Sequence, residues 1–185
     1  IKAPENPRIL DYNKDAELIN IDESNKLYVT KNPINDLFTL KIERGVGTDS
    51  IKNLDIASDL FNYFYTKDKS RDELKQAFAV LGITYYTYAN GSRFTTVLNG
   101  VEKNLEAALP LIKNLMYDPV VDQKALESVI ENIIAGRESE LKDPETLGRY
   151  LLEYARFGDE SEHLTRLSKK EIKALKVDDI ISAYK

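Results

Sequence analysis

The sequence has no cysteine, no tryptophan and a single histidine, His163. Without cysteine there is no disulfide, no thiolate metal site and no thiol nucleophile. One histidine cannot build a zinc site made mainly of imidazoles. An excess of positive charge is also missing, because 26 Lys and Arg face 31 Asp and Glu for a net charge of −5. Nucleic acid demands a basic face, so it is not an expected partner. No run approaches the roughly 18 apolar residues of a membrane-spanning helix. Gly45-Val46-Gly47 has no Lys-Ser/Thr behind it, so it is not a phosphate cradle, and no Gly-x-Ser-x-Gly elbow occurs. The start, Ile1-Lys2-Ala3-Pro4, carries neither an initiator Met nor a signal-peptide pattern, and it reads as part of an excised piece.

What remains is a chain of 185 residues, 42% hydrophobic and 31% charged, the composition of a globular domain. Residues 1–25, with Pro4, Pro7 and no sustained period, read as an irregular lead-in, and 26–185 as one domain. Residues 27–30 are β-prone, and Asn32-Pro33 breaks them. Residues 37–44 alternate as a strand. Leu54, Ala57, Phe61 and Phe64 form one helical stripe, predicting a helix over 54–66. Ser70-Arg71-Asp72-Glu73 is a capping box whose helix ends at Gly82.

Residues 83–100 read as a hairpin centred on Asn90-Gly91, a type I′ turn dipeptide. That centre pairs Ala89 with Ser92, Thr87 with Phe94, Tyr85 with Thr96 and Ile83 with Leu98, and this set is the expected core face. The tyrosine-rich run 85–88 reads as cross-strand packing. Asn99, with Glu102 three residues on, is a candidate cap for a helix burying Leu105, Ala108, Leu109, Ile112, Leu115 and Met116. A long helix presents Ala125, Val129 and Ile133. Asp143-Pro144 opens another helix, and Leu147, Tyr150, Leu151 and Tyr154 follow at helical spacing up to Gly158. Asp159, Glu160, Glu162 and His163 read as a solvated loop, and Glu138 and Glu140 as a solvated helix face. Ser168-Lys169-Lys170-Glu171 is a second capping box, and a last helix starts at Asp178. Strands joined by short turns and followed by helices predict an α+β two-layer sandwich, mostly antiparallel, with the helices on one face.

The order of these landmarks resembles the inverted-zincin peptidases of the pitrilysin/insulinase type, which include the mitochondrial processing peptidases. In that family a strand leads through a glycine turn to a helix carrying H-x-x-E-H. Here strand 37–44, Gly45-Val46-Gly47 and helix 54–66 stand in those places. Leu81-Gly82, the hairpin, Asn99-Gly100-Val101, Asp143-Pro144 and the aromatic-glycine ending Phe157-Gly158 continue the series. Lys31-Asn32-Pro33-Ile34-Asn35-Asp36-Leu37-Phe38 is similar to the second-half domains of long bacterial members. The resemblance covers residues 26–184 and implies a processing-peptidase-like domain cut short at its C-terminus.

The resemblance places Ser58 and Asn62 at the two zinc-binding histidines and Phe61 at the glutamate that activates water. Aligned on Asp143-Pro144, Gly136 stands at the third ligand, with Glu138 and Glu140 offset. Ser, Asn and Gly supply no strong zinc ligand, and Phe61 cannot move a proton. The resemblance therefore implies no catalytic residue, no metal and no cofactor in this domain, with zinc only in an active sibling. It implies as partners that active peptidase domain, in the same chain or a separate subunit, and unfolded peptides that both enclose. A second reading keeps the same fold as a scaffold or peptide-binding domain without a proteolytic partner. Family habit leans to the bacterial envelope rather than the cytoplasm. It also points to Ile83, Tyr85, Thr87 and Ala89 as the strand where an extended peptide would add.

Overall fold

A computed structural model describes residues 11–185. Residues 1–10 of the expected lead-in lie outside the described residues. The described residues divide into two compact units, one up to residue 37 and the other 38–185. In the first, α1 (Tyr12–Asp15) precedes β1 (Glu17–Asn20), which pairs antiparallel with β2 (Lys26–Val29). The lead-in was expected to be irregular, but its residues 17–20 form a strand that pairs with β2, which lies on the run expected to be β-prone. The turn is held by Asp22, whose carboxylate accepts the backbone N–H groups of Ser24 and Asn25. Such a turn gives no apolar periodicity to read.

The second unit holds β3 (Leu37–Arg44), α2 (Leu54–Leu60), α3 (Arg71–Val80), β4 (Ile83–Ala89) and β5 (Phe94–Val101). Then come α4 (Leu105–Tyr117), α5 (Gln123–Glu140), α6 (Pro144–Phe157), α7 (Glu162–Thr165), α8 (Lys169–Ala174) and α9 (Val177–Tyr184). The sheet order is β3-β5-β4, with β4 and β5 antiparallel. Thr39 donates to Asn99 at 2.7 Å, and Arg93 meets Glu43 at 2.6 Å. Those two contacts place opposite ends of β3 and β5 together, so this pair is antiparallel too. Phe38, Leu40 and Ile42 turn to the core with Ile83, Tyr85, Phe94 and Leu98, while Thr39, Lys41, Glu43, Tyr86 and Tyr88 are exposed on the other face. This is the expected two-layer α+β arrangement.

The hairpin register differs from the expected one. Ala89 pairs with Phe94, Thr87 with Thr96, Tyr85 with Leu98 and Ile83 with Gly100, a shift of two residues. The turn centres on Gly91-Ser92, because the Asn90 side chain accepts the N–H groups of Ser92 and Arg93, and Asn90 N–H donates to the Arg93 carbonyl. No φ in the turn is positive, so it is not type I′. Moving the centre by one residue moves the register by two. An even shift leaves every strand residue on its expected face, so Ile83 is buried and Thr84 exposed as read. Ser92 leaves the pairing and is exposed. The turn is set by the 47–49 segment, whose Thr48 and Asp49 N–H groups donate to the Asn90 and Gly91 carbonyls. Any Cβ on Gly47 would collide with the Asn90, Gly91 and Arg93 backbone.

Three helix expectations also change. The helix expected over 54–66 ends as α at Leu60, continues as a 3₁₀ turn over Phe61–Tyr63, and turns extended at Phe64. Tyr65 then exchanges both backbone hydrogen bonds with Val120, which a helix could not allow. Asn99 caps nothing, since β5 runs through it to Val101. Leu109 is 41% exposed rather than buried. The two capping boxes, at Ser70 and Ser168, form as read, and Asp143 accepts the Thr146 N–H at 3.0 Å.

α6 stands apart from the other long helices because none of its residues is buried. Its polar side faces the body of the unit: Tyr150 and Glu153 are half-buried there. Its leucines face outward, with Leu151 71% and Leu152 63% exposed. Usually an amphipathic helix does the reverse.

Candidate functional site

α2 is the most buried helix. Leu54, Ile56, Ala57, Ser58 and Leu60 all lie inside it, and Phe61 and Phe64 just beyond it are fully enclosed. The Phe61 ring sits 5.2 Å from Phe64 and 6.0 Å from both Tyr85 and Tyr184, centroid to centroid. Burial pushes the Tyr184 hydroxyl up to about 12. Ser58 is buried, and its hydroxyl donates to the Asp55 carbonyl at 2.7 Å. Asn62 is exposed on the 3₁₀ turn, and Gly136 is exposed on α5.

The four positions are therefore divided. Ser58 and Phe61 are core. Asn62 lines a cleft of about 700 Å³ with Asp59, Tyr63, Arg71, Lys75, Val129, Asn132 and Ile133. Gly136 lines a second, charged basin of about 460 Å³ between α2, α5 and α6, where Asp55, Arg137, Glu140, Tyr150, His163 and Arg166 gather. An inverted-zincin zinc needs two imidazoles and a carboxylate converging on one point. Of the positions that the resemblance suggests, Ser58 is closed over by packing with its hydroxyl engaged, while Asn62 and Gly136 line two neighbouring cavities that share Asp59 and Ile133. The residues present do not fit zinc. Among the described residues no group of three or more His, Asp or Glu could hold a metal ion.

The charged basin was not legible as a unit. Glu140 accepts the Tyr150 hydroxyl at 2.7 Å and the Arg166 guanidinium at 2.8 Å. Burial works against its charge, but those hydrogen bonds outweigh it and hold its pKa below the usual range. Arg137 donates to the Leu167 carbonyl at 2.6 Å, and burial lowers its pKa. His163 stacks on Tyr150 with centroids 4.6 Å apart, and its Nδ1 lies 3.8 Å from Glu153. His163 was read as part of a solvated loop, but it is built into this wall. Asp55 and Asp59 sit one turn apart on the polar edge of α2. Burial raises the pKa of both, and the Asp55 charge adds to the rise at Asp59. The spacing of Asp55 and Asp59 opposite the apolar stripe was the available signal. Glu138 is a surface residue paired with Lys169 at 2.9 Å, in keeping with a solvated helix face.

β4 lies at an edge of its sheet. The side chains of Ile83, Tyr85, Thr87 and Ala89 turn toward the helices, and the Thr87 hydroxyl donates to the Ser58 carbonyl at 2.8 Å.

No protein-family model matches the sequence, and no curated protein does. Solved structures do match. The chain is similar to the inactive domain of an M16 peptidase from Pseudomonas fluorescens, with TM-score 0.78 and 16% identity over 91% of this chain and 42% of that one. It is similar to the periplasmic protease PqqL of Escherichia coli, with TM-score 0.71 and 13% identity over 100% of this chain and 22% of that one. An M16-like peptidase from Alicyclobacillus acidocaldarius matches with TM-score 0.71 and 10% identity, over 95% and 43% of the two chains. The chain thus has the fold of an M16, pitrilysin-like, peptidase domain. It spans less than half the length of each of these matched chains. Among the described residues no helix is long and apolar enough to cross a membrane.

Proposed function

We propose that this chain is a non-catalytic domain of an M16-type peptidase, which helps an active sibling domain to enclose and bind unfolded peptides. The observation that carries the reading is Phe61. At the position where the resemblance suggests the family's water-activating glutamate, this chain has a ring with no exposure, packed among three other rings. A side chain so placed can take no proton from water. The likeness to a solved inactive M16 peptidase domain supports this reading, with the active sibling in the same chain or in a separate subunit. The outward leucines of α6 support a neighbour as well, since exposed apolar patches mark interaction surfaces. The edge strand β4 is the proposed place for backbone pairing with peptide, through its N–H and C=O groups rather than its inward side chains.

The test pairs two assays on the purified chain. Incubation with an unfolded, fluorophore-quenched peptide, with and without added zinc, is expected to give no cleavage above buffer. Amide-shift mapping with the same peptide is expected to show saturable binding. Chelator-sensitive cleavage by the pure chain would overturn the non-catalytic role, and absence of any peptide-dependent shift would overturn the binding role.

A further inference from the structure

We infer that the cleft between α3 and α5 receives the C-terminal carboxylate of an extended peptide. The inference rests on the peptide-binding reading above and adds the end of the chain that is recognised and the residues that recognise it. The cleft holds about 700 Å³, within the range of ligand sites. Arg71 and Lys75 stand on one wall, four residues apart on α3 and so on the same side of that helix. Asn62 and Asn132 reach the cleft from the 3₁₀ turn and from α5. Val129 and Ile133 supply an apolar part of the lining.

The polar groups here are left unpaired within the fold. The side chains of Asn62, Lys75 and Asn132 have no hydrogen-bond or ion-pair partner among the described residues, in contrast to the charged basin nearby, where Glu140, Tyr150 and Arg166 satisfy one another. Arg71 only lies over the Tyr63 ring, at 5.5 Å from its centroid, an arrangement that orients the guanidinium and leaves its N–H groups available.

The chemistry that this set complements is specific. A guanidinium offers two parallel N–H donors to a carboxylate, and an ammonium beside it adds a second charge. Primary amides both donate and accept, which matches the C=O and N–H of the peptide unit next to a chain end. The apolar lining suits an aliphatic last side chain. Asp59, on the same wall as Asn62, opposes a second negative charge, so a peptide with one carboxylate is preferred over one with several.

Isothermal titration and amide-shift mapping on the 185-residue chain would test this with three acetylated pentapeptides. The first ends in Leu as a free acid, the second is its C-terminal amide, and the third is amidated with one internal Glu. The free acid is expected to bind about tenfold more tightly than its amide, as loss of a charge-assisted contact implies. Shifts should centre on Asn62, Arg71, Lys75 and Asn132. Lys75→Ala and Arg71→Ala, both at exposed positions, should each weaken the free acid and leave the amide unchanged. Equal binding of acid and amide overturns the proposal. So does preferential binding of the internal-Glu peptide, which would assign the cleft to side-chain carboxylates. Shifts confined to β4 overturn it and leave the peptide-binding role standing. If no peptide binds anywhere, both readings fall.

Discussion

Writing H-x-x-E-H over residues 58–62, where the resemblance suggests it, should not restore an enzyme. Making Ser58→His, Phe61→Glu and Asn62→His together recreates H-x-x-E-H in letters. The Phe61 ring has no exposure, and truncating such a ring to Ala costs about 3–5 kcal/mol. A glutamate adds an unpaired charge to the same enclosure, which it can escape only by taking up a proton. Ser58 is buried at 7% exposure, so an imidazole there overpacks its surroundings by about 1–3 kcal/mol. Together these losses reach about 4–8 kcal/mol, against a typical total stability of about 5–15 kcal/mol. For a domain of this size that lowers the melting temperature by about 10–30 °C. Nor is a third ligand at hand. Gly136 offers none, Glu138 is held by Lys169, and Glu140 is held by Tyr150 and Arg166. Calorimetry, zinc competition against a chromophoric chelator and a peptide assay decide the matter. Asn62→His alone, at an exposed position, should fold normally and serves as control. A triple variant that melts near the parent, holds one zinc tightly and cleaves peptide would refute the whole argument about α2.

Three further outcomes follow from the same structure. Asp55 has a folded pKa raised mainly by burial, so the folded state takes up its proton more readily than the unfolded one and loses stability as pH rises through that folded pKa. Asp55→Asn should therefore melt higher than the parent at pH 7, with the difference vanishing as pH falls below the ordinary carboxylate range; a constant difference across a melt series from pH 3 to pH 8 would sink this. Gly47→Ala forces a methyl into the Asn90–Arg93 turn backbone and should cost about 1–3 kcal/mol in urea unfolding, with the lost amide protection concentrated at Thr48, Asp49 and the turn. Leu151→Lys, at 71% exposure, should change stability by no more than about 0.5 kcal/mol while reducing light scattering in concentrated solution.

Most of the fold was legible because several independent signals agreed. Ser70 and Ser168 form capping boxes wherever a Ser precedes a Glu at the right spacing, and both are local chemistry. The faces of β3 and β4 followed from period-2 alternation, which survives any even slip of register. The slip itself was not legible. Asn90-Gly91 favours a type I′ turn in isolation, but the 47–49 segment donates two backbone hydrogen bonds to this turn from over forty residues away. A tertiary contact of that kind outweighs a dipeptide preference. The end of α2 failed for a similar reason. Phe64 keeps the apolar period, so the stripe reads through the point where Tyr65 leaves the helix to bridge Val120.

The candidate site was legible only in its negative half. Four positions suggested by a resemblance could say what chemistry to expect missing there, and at one of them, Phe61, the structure shows a fully buried ring. The positive half depends on residues from α2, α3, α5 and α6 that no spacing connects. α6 makes the limit concrete. Its period announces one apolar side and one polar side, and the ordinary inference would turn the apolar side inward. Here Tyr150 bonds Glu140 and stacks on His163, so the polar side is held against the body and the leucines face out. Either orientation satisfies the same sequence period. What favours the observed one is a polar contact: Glu140, already paired with Arg166, also accepts the Tyr150 hydroxyl, and turning α6 over would forfeit that bond and the stacking on His163. A single hydrogen bond and one stacked ring thus accompany the orientation in which Leu151 and Leu152 stay exposed, and no periodicity of the sequence could have shown that choice.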